Sequence, residues 1–255
     1  MRLLPVHGHG ISGIRKDIPN NMTFSFHRIP VGIDNCFLLR GGQTIFIDGG
    51  APMGMGSFVR NLKRLNVDPK EISLILLTHG HWDHIASLGD IRALSGAKVA
   101  VHHKDQPFVE NGTPPFPAGV NGYGRAMSSL AKALIHPKLP HIKVDVVLDD
   151  NGMSLAEYGI PGKVVYTPGH SMGHVSILLD SGDALVGDMA MNDWYLRLTP
   201  GLPILADDIN MVVESWKKIL PMGIKRVYPA HGMDFPVEVM QKEIADFDAS
   251  EQADS

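Results

Sequence analysis

A single cysteine, Cys36, leaves this chain no partner for an internal disulfide. Such a chain suits a reducing compartment, so a cytoplasmic location is the expectation. Cys36 sits in the apolar run Asn35-Cys36-Phe37-Leu38-Leu39 and reads as a small core residue rather than a nucleophile or a ligand. Long apolar runs are missing too. No stretch approaches the ~20 residues needed to cross a bilayer, and the first 13 residues hold no apolar core of signal-peptide length, so no membrane association is expected. Basic charge is scarce: 23 Lys and Arg against 27 Asp and Glu give a formal net charge of −4. Affinity built on neutralising many phosphates is therefore disfavoured, and nucleic acid is not an expected partner. A small molecule is, while assembly into a homo-oligomer stays open.

No linker, low-complexity stretch or close repeat divides the sequence, and with 44% hydrophobic residues it can bury a large core. Residues 1–255 read as one domain. Short apolar or alternating runs at 23–26, 36–39, 44–47, 73–77, 98–101, 144–148, 163–166, 175–179, 184–186 and 226–228 predict strands. Helical spacing marks four stripes, each expected to seat one helix face against a sheet: Met55, Phe58, Val59, Leu62 and Leu65; Ile85, Leu88, Ile91 and Leu94; Met127, Leu130, Ala131, Leu134 and Ile135; Ile209, Val212, Val213, Trp216, Ile219 and Leu220. Asp207 and Asp208 are candidate caps for the fourth helix and Pro221 its stop; Asp234 and Pro236 open a final helix through Val237, Met240, Ile244 and Phe247, with 249–255 expected to fray. The class is α/β, strands stacked between helices.

The chemistry concentrates in Thr78-His79-Gly80-His81-Trp82-Asp83-His84, an HxHxDH run directly behind an apolar strand. If the segment leaving that strand stays extended, His79 and His81 project to one side, and Asp83 and His84 follow where the next helix starts. Three later motifs repeat the device of a strand followed at once by a ligand type: Tyr166-Thr167-Pro168-Gly169-His170, Val186-Gly187-Asp188 and Tyr228-Pro229-Ala230-His231-Gly232. Imidazole and carboxylate together suit zinc, and also iron or manganese, with no thiolate required.

In this ordered set the chain resembles the metallo-β-lactamase superfamily, and the match runs through most of its length. The resemblance implies a four-layer αββα sandwich. It implies a first divalent metal ion held by His79, His81 and His170, a second held by Asp83, His84 and His231, and Asp188 bridging the two. Zinc is the leading identity, with iron or manganese as alternatives. Two such cations lower the pKa of a water between them and polarise an electrophile, which is the chemistry of hydrolysis. Asp83 is in addition the candidate catalytic residue, orienting the hydroxide or passing a proton to the leaving group. Asp48, in Ile47-Asp48-Gly49-Gly50, matches the family's early aspartate and reads either as an acceptor for a ligand histidine or as a plain turn residue.

His174 is expected to pack or hydrogen-bond locally; His102 with His103, and His7 with His9, read as loop residues near the site rather than ligands. Specificity is expected from segments 6–21, 106–125 and 189–206, the least regular parts. Trp194 and Tyr195 in the last are the pocket candidates, as a wall or as a phenol steadying an oxyanion, with simple packing as the competing reading. The leading function is a metal-dependent hydrolase of a small ester, thioester or lactone. Only 24 residues follow His231, short of the helical region with which glyoxalase II-like relatives bind glutathione, so a compact lactonase-like enzyme fits better. The family's true β-lactamases generally lack the aspartate at the place of Asp188. The alternatives are a phosphodiesterase of the same fold, a mononuclear-iron oxidoreductase resembling persulfide dioxygenases, or a metal-dependent scaffold without catalysis.

Overall fold

The computed structural model describes residues 13–17, 23–136 and 138–253; His7, His9 and all of the segment 6–21 other than 13–17 lie outside the described residues. Strands β1 (Gly13–Asp17), β2 (Thr23–Val31), β3 (Asp34–Arg40), β4 (Thr44–Ile47), β5 (Ile72–Leu76), β6 (Lys98–His102) and β7 (Val146–Leu148) lie side by side in chain order as one sheet. Pairing is antiparallel as far as β4 and parallel from β4 to β7. A parallel step needs a crossover. Helix α1 (Met55–Arg64) supplies the first, α2 (Trp82–Ile85) and α3 (Leu88–Ser95) the second, and α4 (Gln106–Asn111) with α5 (Gly122–Leu134) the third. The second sheet runs β13-β12-β11-β10-β9-β8, built from β8 (Met153–Ser154), β9 (Gly162–Tyr166), β10 (Val175–Leu179), β11 (Asp183–Asn192), β12 (Arg226–Gly232) and β13 (Phe235–Pro236). Its parallel pair is β11 with β12, joined through α6 (Ile209–Ile219).

Alternation along each strand sorts the core into layers. In β4, Phe46 meets Phe58 of α1 edge-on at 5.1 Å, whereas Ile45 and Ile47 point the other way into the space between the sheets. All four β4 residues are buried, as a sheet covered on both faces requires. Between the sheets, Phe26 packs edge-on against Tyr228 at 5.2 Å, and Leu39, Leu74 and Leu76 share a cluster with Val164, Ile177 and Leu185. The outer face of the second sheet, with Leu178, Ala184 and Val227, receives Val212, Val213 and Trp216 of α6 and Met240 and Ile244 of α7 (Glu238–Ala253). The layers are therefore α, β, β, α, as the resemblance implied.

Several local expectations change. The stripe over 85–94 is split into α2 and α3, leaving Leu94 45% exposed. Helix α5 is not seated on a sheet: it buries Gly124 and Ser128, while Leu130 and Leu134 are 54% and 71% exposed. The ties here are to the 189–206 segment instead: Val120 N, just ahead of the helix, donates to Ile204 O, and Tyr123 Oη in its first turn donates to Tyr195 O. The supposedly irregular 106–125 contains α4, and 189–206 opens with the last four residues of β11. Asp208 caps α6 by accepting from Met211 N; Asp207 does not. The final helix begins at Glu238, beyond the short strand β13, and continues to Ala253, so the tail expected to fray is largely helical. Asp234 pairs with Arg226 rather than opening that helix.

Trp216 is fully buried and its indole N–H donates to Met189 O at 2.9 Å, which fastens α6 to β11. Trp216→Ala is expected to cost about 3–5 kcal/mol of unfolding free energy. Denaturant unfolding measures it, and a loss below ~1 kcal/mol would contradict this packing.

Candidate metal centre

Parallel strands β4, β5 and β6 end on one side of their sheet, and each is followed by an acid or a ligand type. Asp48 follows β4 in a left-handed conformation (φ 65°) that aspartate tolerates better than most residues. It accepts from Thr78 N at 2.7 Å and from Thr78 Oγ1 at 3.0 Å, and its Oδ2 lies 3.2 Å from His84 Nδ1. The early aspartate thus touches the HxHxDH run at both ends. After β6, Asp105 accepts from Gly80 N and Ser171 Oγ at 2.8 Å and from Gly173 N at 3.0 Å, joining the HxHxDH turn to the turn that carries His170.

The other ligand types arrive differently from the simple strand-then-turn device. Asp188 and His231 lie inside β11 and β12, where the pairing shifts register on both sides of Gly187. A bulge re-aims the side chains next to it. Gly187 has φ 50°, and a Cβ there would sit 2.7 Å from His174 Nε2 and 2.8 Å from Thr78 Oγ1, so the close approach of β11 to the ligand turn needs glycine.

All seven expected ligand residues converge. Candidate donor atoms of His79, His81 and His170 lie within 4.8 Å of one another, as do those of Asp83, His84 and His231, joined by Asp34. Asp188 stands between the two groups, 3.3 Å from His84 Nε2 and 3.4 Å from both His170 Nε2 and His231 Nε2. His170 Nδ1 donates to Leu205 O at 2.8 Å, which turns Nε2 toward the cluster. Six of the seven are buried, and Asp83 is nearly so.

The electrostatics divide along the same line. Burial, then the neighbouring histidines, holds His79 well below its ordinary pKa and takes His81 to about 3. Burial opposes charge on His84 and His231 as well, but Asp48 and Asp188 on the first and Asp188 on the second outweigh it and raise both. Burial likewise works against ionised Asp188, yet His231, His84 and His170 pull it well below the carboxylate range. Among the described residues His79 Nε2 and His81 Nε2 have no hydrogen-bond partner, and the ring nitrogens of His84 and Asp188 Oδ1 have only the long ion-pair contacts of His84 with Asp48 and Asp188. Buried polar atoms are rarely left so, and a cluster of imidazole and carboxylate donors at these separations fits divalent cations.

Above the cluster opens a cavity of about 160 Å³, floored by His81, Asp83, Asp188 and His231. Its walls are apolar: Ile33, Trp82, Phe116, Met127, Leu196 and Leu205 among them, with no lysine or arginine among the described residues. Tyr195 lines it and keeps a buried hydroxyl that has no hydrogen-bond partner among the described residues. Trp194 does not; consecutive in a turn, the two rings diverge at 85°, leaving Trp194 78% exposed on a neighbouring cleft. His174 bonds Thr167 through Nδ1, the local role expected. His102 stacks on Tyr166 and approaches Asp150 at 3.1 Å, and with exposed His103 forms a separate group. Two functional candidates, Asp34 and Asp105, escaped the sequence reading. Asp105 had one signal, its place just after a strand in the parallel part of the sheet.

Asp105→Ala removes the acceptor of three donors and is expected to cost about 2–4 kcal/mol in denaturant unfolding. A change under ~0.5 kcal/mol would show that the two turns hold their positions without it.

Comparison with known proteins bears on the fold and the family. YflN of Bacillus subtilis (strain 168), named a probable metallo-hydrolase, is 27% identical over 174 residues, which is 65% of this chain and 63% of that protein. The crystal structure of BLEG-1 B3 metallo-beta-lactamase superposes with a TM-score of 0.64 at 21% identity, covering 84% of this chain and 94% of that one. The structure of TTHA1623 in a di-iron-bound form gives 0.61 at 24% identity, over 85% and 97%. At such identities the superpositions speak for the fold alone. The superfamily's sequence profile, however, matches residues 29–231, from β2 through the last histidine of the cluster, and on that extent the chain belongs to the metallo-beta-lactamase superfamily.

Proposed function

We propose that this protein is a dinuclear metal-dependent hydrolase of a small, uncharged ester, thioester or lactone. One observation carries the reading: seven histidine and aspartate side chains converge, four of them flooring a cavity whose walls are apolar and, among the described residues, contain no lysine or arginine. His79, His81 and His170 would hold one divalent ion, Asp83, His84 and His231 the other, and Asp188 both. Zinc suits the donors, and iron or manganese are the alternatives; a di-iron form of the similarly folded TTHA1623 makes iron a concrete one. When bound, the pair supplies Lewis acidity and an activated water at neutral pH.

The chain's own groups contribute the rest. His231 and His84 hold Asp83 below its ordinary pKa against the pull of burial, so its carboxylate is ionised and can accept a proton and pass it to a leaving group. Burial raises the Tyr195 hydroxyl to about 12, which keeps its proton available for donation to a carbonyl oxygen as charge develops there. The apolar walls bind an acyl or ring portion and exclude water. A phosphodiester would bring charge into a cavity where no lysine or arginine among the described residues meets it, so this lining favours the neutral substrates.

Asp83→Ala or His84→Ala is expected to empty one metal position and reduce turnover on the order of 100-fold or more while the fold survives. Asp188→Ala should disturb both positions. Elemental analysis beside steady-state rates checks this, and full metal content in these variants would overturn the assignment. Protein of measured metal content, run against ester, lactone, thioester and phosphodiester panels, is expected to turn over one of the first three. A single iron per chain with oxygen consumption would replace hydrolysis by the oxidoreductase reading.

A further inference from the structure

The hairpin joining β2 to β3 places an eighth group at the cluster. Val31 pairs with Asp34 across the two-residue turn Gly32-Ile33, and Gly32 takes φ 73°, the left-handed conformation such turns demand. The tip therefore reaches the site with Ile33 on the cavity wall and Asp34 beneath it. Asp34 is 1% exposed, and among the described residues neither carboxyl oxygen has a hydrogen-bond partner. Burying a carboxyl group without one is costly. Asn35, next in the chain, donates to Pro229 O at 3.3 Å and Gly232 O at 2.6 Å, which clamps the hairpin to the strand end bearing His231.

The direction of approach is decisive. A carboxylate that merely orients a ligand histidine bonds the ring nitrogen turned away from the metal. Asp34 Oδ1 instead lies 3.4 Å from His231 Nε2, the same nitrogen that faces Asp83 Oδ2 at 3.5 Å and Asp188 Oδ2 at 3.4 Å; His231 Nδ1, the outer nitrogen, has no hydrogen-bond partner among the described residues. Neighbouring donors on one ion with bonds of about 2.1–2.2 Å stand about 3.0–3.5 Å apart, whether the ion is octahedral or tetrahedral. Asp34 is thus placed as a ligand is placed.

We propose that Asp34 is an additional protein ligand at the second metal position, and that the resulting set, Asp34, Asp83, His84, His231 and Asp188, is built for a hard, high-coordinate ion, manganese(II) or iron(II), whereas the three-histidine position is suited to zinc. Three carboxylates and two imidazoles favour such ions over tetrahedral zinc. The inference rests on the two-metal reading above and divides its positions by hardness.

The test is metal binding, independent of turnover. Metal-free full-length protein is titrated with manganese(II), bound ion being read by electron paramagnetic resonance, and metal content is measured after loading with zinc and manganese together. The wild type is expected to retain both metals. Asp34→Asn should weaken manganese at least about tenfold and leave zinc at the three-histidine position. Asp34→Glu, which keeps the charge, should recover part of the manganese affinity. Melting of the metal-free proteins serves as the folding control: Asp34→Asn should melt close to the wild type, because the amide keeps the size and shape of the carboxyl group. Equal manganese affinity in wild type and Asp34→Asn, or a metal-free Asp34→Asn that melts lower and loses zinc as readily as manganese, would overturn the proposal. Manganese bound through Asp34 in a protein inactive on every substrate would sink the hydrolase reading alone.

Discussion

Desolvation of charge is the constraint around which this molecule is arranged. Four aspartates and five histidines, Asp34, Asp83, Asp188 and Asp48 with His79, His81, His84, His170 and His231, are drawn into one almost dry region. Taking such groups out of water costs several kcal/mol each unless opposite charge stands close by. His84, His231 and His170 offset part of that for Asp188, and the acids in turn favour the charged form of His84 and His231. The remainder falls on atoms such as His79 Nε2 and His81 Nε2 that have no hydrogen-bond partner among the described residues, which is why the cluster reads as a receptor for cations and not as an ordinary ion-pair network.

Holding such a cluster together requires rigid support, and the two sheets provide it from opposite sides. The first contributes its parallel strand ends, bringing Asp48, the HxHxDH run and Asp105 to one edge; the second contributes β11 and β12, whose shifted pairing turns Asp188 and His231 inward. Asp105 then acts as a fastener between the turn from one sheet and the turn from the other, with no ligand role of its own. The core beneath, layered by simple alternation, resists any spreading of these ends.

The convergent cluster was legible in the sequence because its largest part is contiguous: four ligand types within six residues leave few other readings, and His170, Asp188 and His231 gain meaning only from that start. The layers were legible because period-two and helical apolar spacing differ so clearly. Asp34 and Asp105 were not, since an isolated aspartate at a turn is the commonest of surface residues and only the fold brings these two inside. Strand ends at β11 and β12 were also missed, because Gly187, Pro229 and Gly232 look like terminators yet here mark bulges and a close approach. Helix α5 misled for the opposite reason. Its apolar stripe is real, but Met127, Ala131 and Ile135 face a cavity rather than a sheet.

That position of α5 separates two properties that many enzymes have entangled. The helix walls the cavity yet adds almost nothing to the layered core, and it is tied mainly to the segment after β11. Substitutions at its cavity-facing positions, Met127 and Ala131, can reshape the space over the cluster with little demand on the stability reserve of the sandwich. One helix can thus change what fits the cavity while the floor beneath it stays as it is.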